Sequence, residues 1–132
     1  MRKIIALAAA LAAAGCAREQ VEPAANDEAR LAAELRDYEE AGPPVSCVPM
    51  RNLQGNRSVG EGAIVFGGVG GRIWLNRPRD GCPSIDSGRS LQTRTTSTNL
   101  CRGDIATVFD PVSGAQYGSC GLGDFQPYRR RK

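Results

Sequence analysis

The sequence predicts a mostly β fold: a small antiparallel sheet or barrel-like domain with two disulfides, preceded by one short N-terminal helix. Three observations carry this expectation. Beyond residue 45 the helical spacing of apolar side chains disappears, and short β-prone runs alternate with glycine-rich breaks. Four cysteines, Cys47, Cys82, Cys101 and Cys120, fall within that same region. An even number of cysteines in so short a stretch reads as disulfides. Zinc is disfavoured, because the chain has no histidine and no Cys-x-x-Cys pair.

Residues 1–15 read as an export signal. Met1-Arg2-Lys3 places positive charge ahead of residues 4–14, which carry no polar side chain. About a dozen apolar residues cannot cross a hydrocarbon core of roughly 30 Å as a helix. The stretch Ala13-Ala14-Gly15-Cys16 resembles the lipobox of bacterial lipoproteins, with alanine at 13 where leucine is commoner. That resemblance implies cleavage before Cys16, a thioether-linked diacylglycerol on its sulfur, and acylation, as with palmitate, of the freed amine. Several acyl chains, at about 0.8 kcal/mol per buried CH₂, make a stable anchor where one would be marginal. An aspartate directly after the cysteine tends to retain lipoproteins at the inner membrane. Here that residue is Ala17, which implies the outer membrane, facing the periplasm. Ordinary secretion is the plain alternative.

Residues 16–44 read as a tether carrying a short acidic amphipathic helix. They hold eight acidic residues against three arginines, whereas residues 45–132 hold twelve basic residues against six acidic ones. The overall charge of +3 hides this split, which reads as a solvated acidic spacer beside a mildly basic domain. Asn26 is the expected N-cap, with Asp27 and Glu28 favourable at the positive end of the helix. Leu31, Leu35 and Tyr38, at i, i+4 and i+7, make one narrow apolar stripe that is either docked on the domain or exposed. Gly42-Pro43-Pro44 is the expected stop.

Residues 45–128 form the expected domain. Strands are expected over 48–53, 63–66, 72–76, 91–97, 105–109 and 115–120. Gly67-Gly68-Val69-Gly70-Gly71 reads as a hairpin connection rather than a phosphate loop, since no Gly-Lys-Ser/Thr and no helix follow it. The 105–109 run, branched and aromatic on both faces, is expected to be central, and Asp110 to Gly114 to turn the chain back. Trp74 reads as core. Residues 129–132, Arg129-Arg130-Arg131-Lys132, read as a bare basic tail. Of the three possible disulfide pairings, the expectation favours Cys47–Cys120, tying the domain ends, and Cys82–Cys101, closing the middle. Loop-closure entropy assigns these about 4–5 and about 3 kcal/mol.

Catalytic inventory is thin. Without histidine, Ser-His and Cys-His pairs are impossible, and the only lysines, Lys3 and Lys132, lie outside the domain. Carboxylate chemistry remains: Asp104, Asp110 and Asp124 would have to converge for acid/base work on an envelope polymer. Each also has a structural role on offer, as a cap, a turn residue and a loop residue respectively. A redox module using one of the disulfides is the other alternative. Arg102-Gly103-Asp104 and Asn56-Arg57-Ser58 spell short adhesion and glycosylation tripeptides that arise by chance. Nothing calls for a cofactor. The tail, with Arg51, Arg57, Arg72, Arg77 and Arg79, offers charge for anionic lipid head groups or envelope glycans. Sparse aromatics argue against nucleic acid.

Taken together, Cys47, Cys82-Pro83, Leu100-Cys101 with Asp104-Ile105, and Cys120-Gly121-Leu122-Gly123 with Phe125 resemble a family of small exported proteobacterial proteins of unknown function. The resemblance covers residues 45–128. It implies a one-domain envelope protein in which the four cysteines act as a unit, and it brings no activity or catalytic residue. The expectation is therefore a lipid-anchored, periplasm-facing protein that is not an enzyme. Its partners would be the membrane through Cys16, and an anionic lipid, an envelope glycan or another envelope protein through the domain.

Overall fold

The computed structural model describes residues 25–85 and 88–132. The export signal, Cys16 and residues 17–24 of the tether lie outside the described residues. The chain folds as α1 (Ala25–Leu35), β1 (Tyr38–Glu40), β2 (Cys47–Pro49), β3 (Leu53–Val59), β4 (Ala63–Gly68), β5 (Arg72–Asn76), β6 (Ser90–Thr93), β7 (Asn99–Cys101), β8 (Ile105–Phe109), β9 (Gln116–Gly121) and β10 (Phe125–Arg130). Five strands form one antiparallel sheet in the order β1-β10-β5-β4-β3. A three-stranded sheet, β6-β8-β9, and a two-stranded ribbon, β2-β7, complete the β structure. The mostly β antiparallel expectation holds.

β4 is buried on both faces of the larger sheet, which explains why it reads Ala63-Ile64-Val65-Phe66 without polar alternation. Val65, Ile73 and Leu75 face α1, which docks through Leu31 and Leu35. Ile64, Phe66, Trp74 and Phe125 face the small sheet and the ribbon, packing with Val48, Leu91, Leu100, Ala106 and Val108. Phe66 and Phe125 meet edge to face with centroids 5.6 Å apart. Trp74 is core, as expected, and its ring lies where a Cβ on Gly68 would sit, so the glycine there makes room for the indole. The glycine cluster does connect two antiparallel strands, β4 and β5.

An eleven-residue helix is marginal by itself in water. Burial of Leu31, worth about 2 kcal/mol, is its main hold. Glu34–Arg57 at 2.7 Å and Glu28–Arg77 at 3.3 Å add little, being exposed pairs. The helix ends earlier than expected. Leu35 is its last residue, and Tyr38 instead opens β1, paired with Arg130. The stripe still points to one place, because Tyr38 packs against the same cluster as Leu31 and Leu35. Asn26 lies inside the first turn rather than capping it.

Several other expectations need correction. The 48–53 strand is split: β2 ends at Pro49, and a short 3-10 turn over Met50–Asn52 leads into β3. β6 stops at Thr93, where the 91–97 expectation ran on. β8 is the middle strand of its sheet, but only Ala106 and Val108 are buried; Ile105 is 54% exposed. The sheet also crosses both expected boundaries, 44/45 and 128/129. β1 comes from the expected tether and pairs with Tyr128, Arg129 and Arg130. The basic residues 129–132 are therefore no bare tail: Arg129 bonds Glu39 at 2.9 Å, and the Arg131 amide donates to the Asp37 carbonyl at 2.8 Å.

The four cysteines are all bridged, but the expected Cys47–Cys120 and Cys82–Cys101 pairs are wrong. The bridges are Cys47–Cys101 and Cys82–Cys120. β2 and β7 align Cys47 directly opposite Cys101, so the ribbon's register selects that pair. Cys82 is held near Cys120 from another direction: its amide donates to the Glu61 carbonyl at 2.6 Å, and the Glu61 carboxylate accepts from the Ser84 amide at 2.7 Å. The β3–β4 turn thus fixes the loop that carries Cys82.

Candidate functional site

The three aspartates do not converge. Asp104 closes the turn between β7 and β8, its carboxylate accepting from the Cys101 amide at 2.7 Å. Asp110 stands at the far end of β8, roughly 20 Å along the strand by its rise per residue. Asp124 pairs with Arg102 at 3.3 Å. The backbone of residues 102–104 does run beside Leu122 and its neighbours, through Gly103 N–H to Leu122 O and Leu122 N–H to Asp104 O. Even so, Asp104 and Asp124 line different grooves, the first beside Arg94 and Thr95, the second beside Arg77 and Gln126.

The Asp110 carboxylate is held below its ordinary pKa of 3.8, chiefly because it accepts from the Val112 amide at 2.7 Å and the Ser113 amide at 3.2 Å. A depressed carboxyl pKa contributes stability above the unfolded value and loses it as pH falls through the folded one. Acid unfolding below about pH 4 is expected to carry an Asp110 contribution. Urea melts between about pH 5 and about pH 2.5 should show a shallower pH dependence in Asp110→Asn than in the parent.

A polar groove forms where α1 leaves the larger sheet uncovered. It lies over β1, β10 and β5, has a volume of about 520 Å³, and is lined by Glu40, Leu75, Arg77, Asp124, Gln126 and Tyr128. Strand alternation puts Glu40, Leu75, Gln126 and Tyr128 on one face, through the pairs Glu40–Tyr128 and Gln126–Leu75. Burial raises the Tyr128 phenol above its ordinary pKa of 10, and the negative charge of Glu40 pushes the same way, against Arg77. Tyr128 is therefore a neutral hydrogen-bonding group throughout the physiological range. The Gln126 amide nitrogen donates to the Gly42 carbonyl at 2.8 Å, which fixes its orientation. Two carboxylates, a guanidinium and a phenol around an aliphatic floor suit recognition of a polar ligand. No thiol, amine or imidazole lines this groove.

The opposite end of the same strands is cationic. Arg72 stands directly across from Arg129 in the β5–β10 register, and Arg130 follows on the other face, in a groove that it shares with Tyr38, Asp37 and the Arg57–Glu34 ion pair. Like charges directly opposite in a ladder destabilise it. Glu39 relieves this for Arg129. Arg131 is fixed by its own guanidinium, whose Nε donates to the Tyr38 carbonyl at 3.0 Å.

The remaining sequence features find structural places. Arg102-Gly103-Asp104 is the β7–β8 turn, held by its own bonds, and Asn56 lies in β3. Among the described residues, no helix is long and apolar enough to cross a membrane. The groove was not anticipated. Its lining comes from three distant parts of the chain, and the only local signal was the alternation Phe125-Gln126-Pro127-Tyr128. No family model, curated protein or solved structure matches the chain.

Proposed function

We propose that the chain is a bacterial lipoprotein, held at the periplasmic face of the outer membrane by acyl chains on Cys16, whose β domain works by binding rather than catalysis. The observation that carries the anchoring is Ala13-Ala14-Gly15-Cys16 after a charged and then apolar start, with Ala17 behind it. The resemblance of the cysteine pattern to a family of small exported proteins agrees with it. The binding role is supported by the occupations of Asp104, Asp110 and Asp124, each engaged in a turn or an ion pair. It is supported also by the groove over β1, β10 and β5, which offers oriented hydrogen-bonding groups.

Intact-mass analysis of the protein from its bacterial host is the direct test. A mature chain starting at Cys16 and carrying several acyl chains is expected, with the lipid mass lost in Cys16→Ser. An unmodified N-terminus elsewhere would overturn the anchoring. For the binding role, a photoreactive residue at Gln126 should give a specific adduct in intact cells, and a blank result there counts against the groove.

A second reading, hydrolysis of an envelope polymer, draws on Glu40 and Asp124 in one groove. Release of soluble fragments from labelled peptidoglycan, abolished by Glu40→Gln, would favour it.

A further inference from the structure

The two ends of the larger sheet differ in charge and in where the chain enters. α1 starts at one end: Glu28 bonds Arg77, just past β5, and the Asp27 carboxylate rests against Gly60 in the β3–β4 turn. The cationic cluster is at the other end, where β5 begins and β10 finishes. A five-residue strand separates them by roughly 17 Å. Eight residues link Cys16 to Ala25, so the tether reaches at most about 30 Å, and it arrives at the Gly60 and Arg77 end.

The cationic end is built, not frayed. Arg129 and Arg130 are ladder residues, and Arg131 is pinned through both its amide and its guanidinium. Among the described residues Arg72, Arg130 and Lys132 have no carboxylate within ion-pair distance. Arg72 faces Arg129 across the ladder, and since Glu39 already pairs with Arg129, the charge left for an external anion is that of Arg72. Planar guanidinium groups carried on a paired backbone suit bidentate contact with carboxylates, and a repeating polymer allows several such contacts at once. With the tethered end against the leaflet, the cationic end stands beyond the roughly 8 Å over which a charged leaflet attracts at physiological ionic strength; the tether is long enough for the domain to turn over, and the anionic vesicles below read that case.

We propose that this end of the sheet, presenting Arg72, Arg129, Arg130, Arg131 and Lys132, docks a carboxylate-bearing glycan polymer of the envelope, with the tethered end towards the membrane. The orientation rests on the lipid-anchored reading; the charge of the site does not.

The test uses the acylated full-length protein reconstituted in phosphatidylcholine vesicles and sedimented with purified peptidoglycan sacculi. Arg72→Gln/Arg130→Gln/Lys132→Gln is compared with Arg51→Gln/Arg79→Gln/Arg94→Gln, which removes equal charge from exposed positions elsewhere. The first triple should weaken sacculus binding on the order of tenfold or more, and the second less than about twofold. Parent binding should vanish near 1 M salt, where the screening length falls to about 3 Å, and should persist in vesicles of equal parts phosphatidylethanolamine and phosphatidylglycerol. Equal losses in both triples, or no sacculus binding by the parent, would overturn the proposal. So would its loss in the anionic vesicles, which would place the cationic end on lipid. Intact mass of the same preparation reports acylation separately. A chain unmodified at Cys16 is assayed free in solution against the same sacculi, so failure of the anchor and failure of the docking site are read apart.

Discussion

Replacing Cys82 and Cys120 together by alanine is expected to destabilise the domain by about 4 kcal/mol or more, the largest effect of any paired substitution considered for this chain. The bridge closes 38 residues, and loop-closure entropy alone gives about 4 kcal/mol. Both sulfurs also belong to the core. Cys82 is 0% exposed and Cys120 7%, and they pack with Leu91, Val108 and Leu122. Alanine there adds the loss of buried contacts to the loss of the crosslink. The Cys47→Ala/Cys101→Ala pair is the comparison. Its loop of 54 residues is longer, and entropy gives about 4 kcal/mol again, but Cys47 is exposed on a two-stranded ribbon. Val48 and Leu100, paired in the same ribbon, are buried in the core and can hold it there without the crosslink. The bridge with the shorter loop should thus matter more. Urea unfolding of both double variants checks this, and the reverse order would mean that the entropy of the unfolded chain dominates over core packing. A small domain has roughly 5–15 kcal/mol in total, so either loss is a large share. Non-reducing peptide maps should return Cys47–Cys101 and Cys82–Cys120 in the parent.

That pairing was not legible in the sequence, for a definable reason. Four cysteines permit three pairings, and spacing along the chain carries no register. The choice was made by β2 and β7, three residues each, whose partnership brings Cys47 opposite Cys101. What the sequence did reveal were 63–66 and 72–76, buried strongly enough to stamp their own pattern, the glycine-rich connection between them, and 105–109, whose branched and aromatic run reads as a strand although only Ala106 and Val108 are buried. β3 was missed because Gln54-Gly55-Asn56-Arg57-Ser58 is an edge strand and mostly exposed, so its residues read as a loop. β10 was missed because of Pro127, which argues against an internal strand. The structure resolves the conflict. Phe125 and Pro127 direct their backbone groups away from β5, towards Val45 and Ala41, and the Pro127 carbonyl accepts from Ala41 at 2.9 Å. The missing N–H thus costs no bond to β5. The groove was hidden for the same kind of reason, since Glu40, Arg77 and Tyr128 meet only after β1, β5 and β10 have paired.

Asn76 is the second position where a single change should be felt strongly. It is fully buried on the core face of β5, between Ile64 and Phe125 in the ladder. Its amide nitrogen donates to the Gly123 carbonyl at 2.8 Å, and its amide oxygen accepts from the Gly123 amide at 2.9 Å. One side chain thereby satisfies both backbone groups of one residue in the Cys120-Gly121-Leu122-Gly123 loop. Asn76→Leu is expected to cost about 2–3 kcal/mol, because it leaves the half-buried N–H and C=O of Gly123 without their partner and puts a differently shaped side chain into a fully packed site. Gly123→Ala attacks the same joint from the other side: an added Cβ would run into the Arg77 carbonyl, backbone that cannot swing away. The loop would have to shift, and the two bonds to Asn76 with it. Since either change breaks the same pair of bonds, the double variant should be less destabilised than the sum of the single ones, by about 1–2 kcal/mol. Urea denaturation of the two singles and the double measures that coupling. Full additivity would mean that Asn76 and Gly123 contribute separately, and that the loop is positioned by the Cys82–Cys120 bridge beside it rather than by the asparagine beneath it.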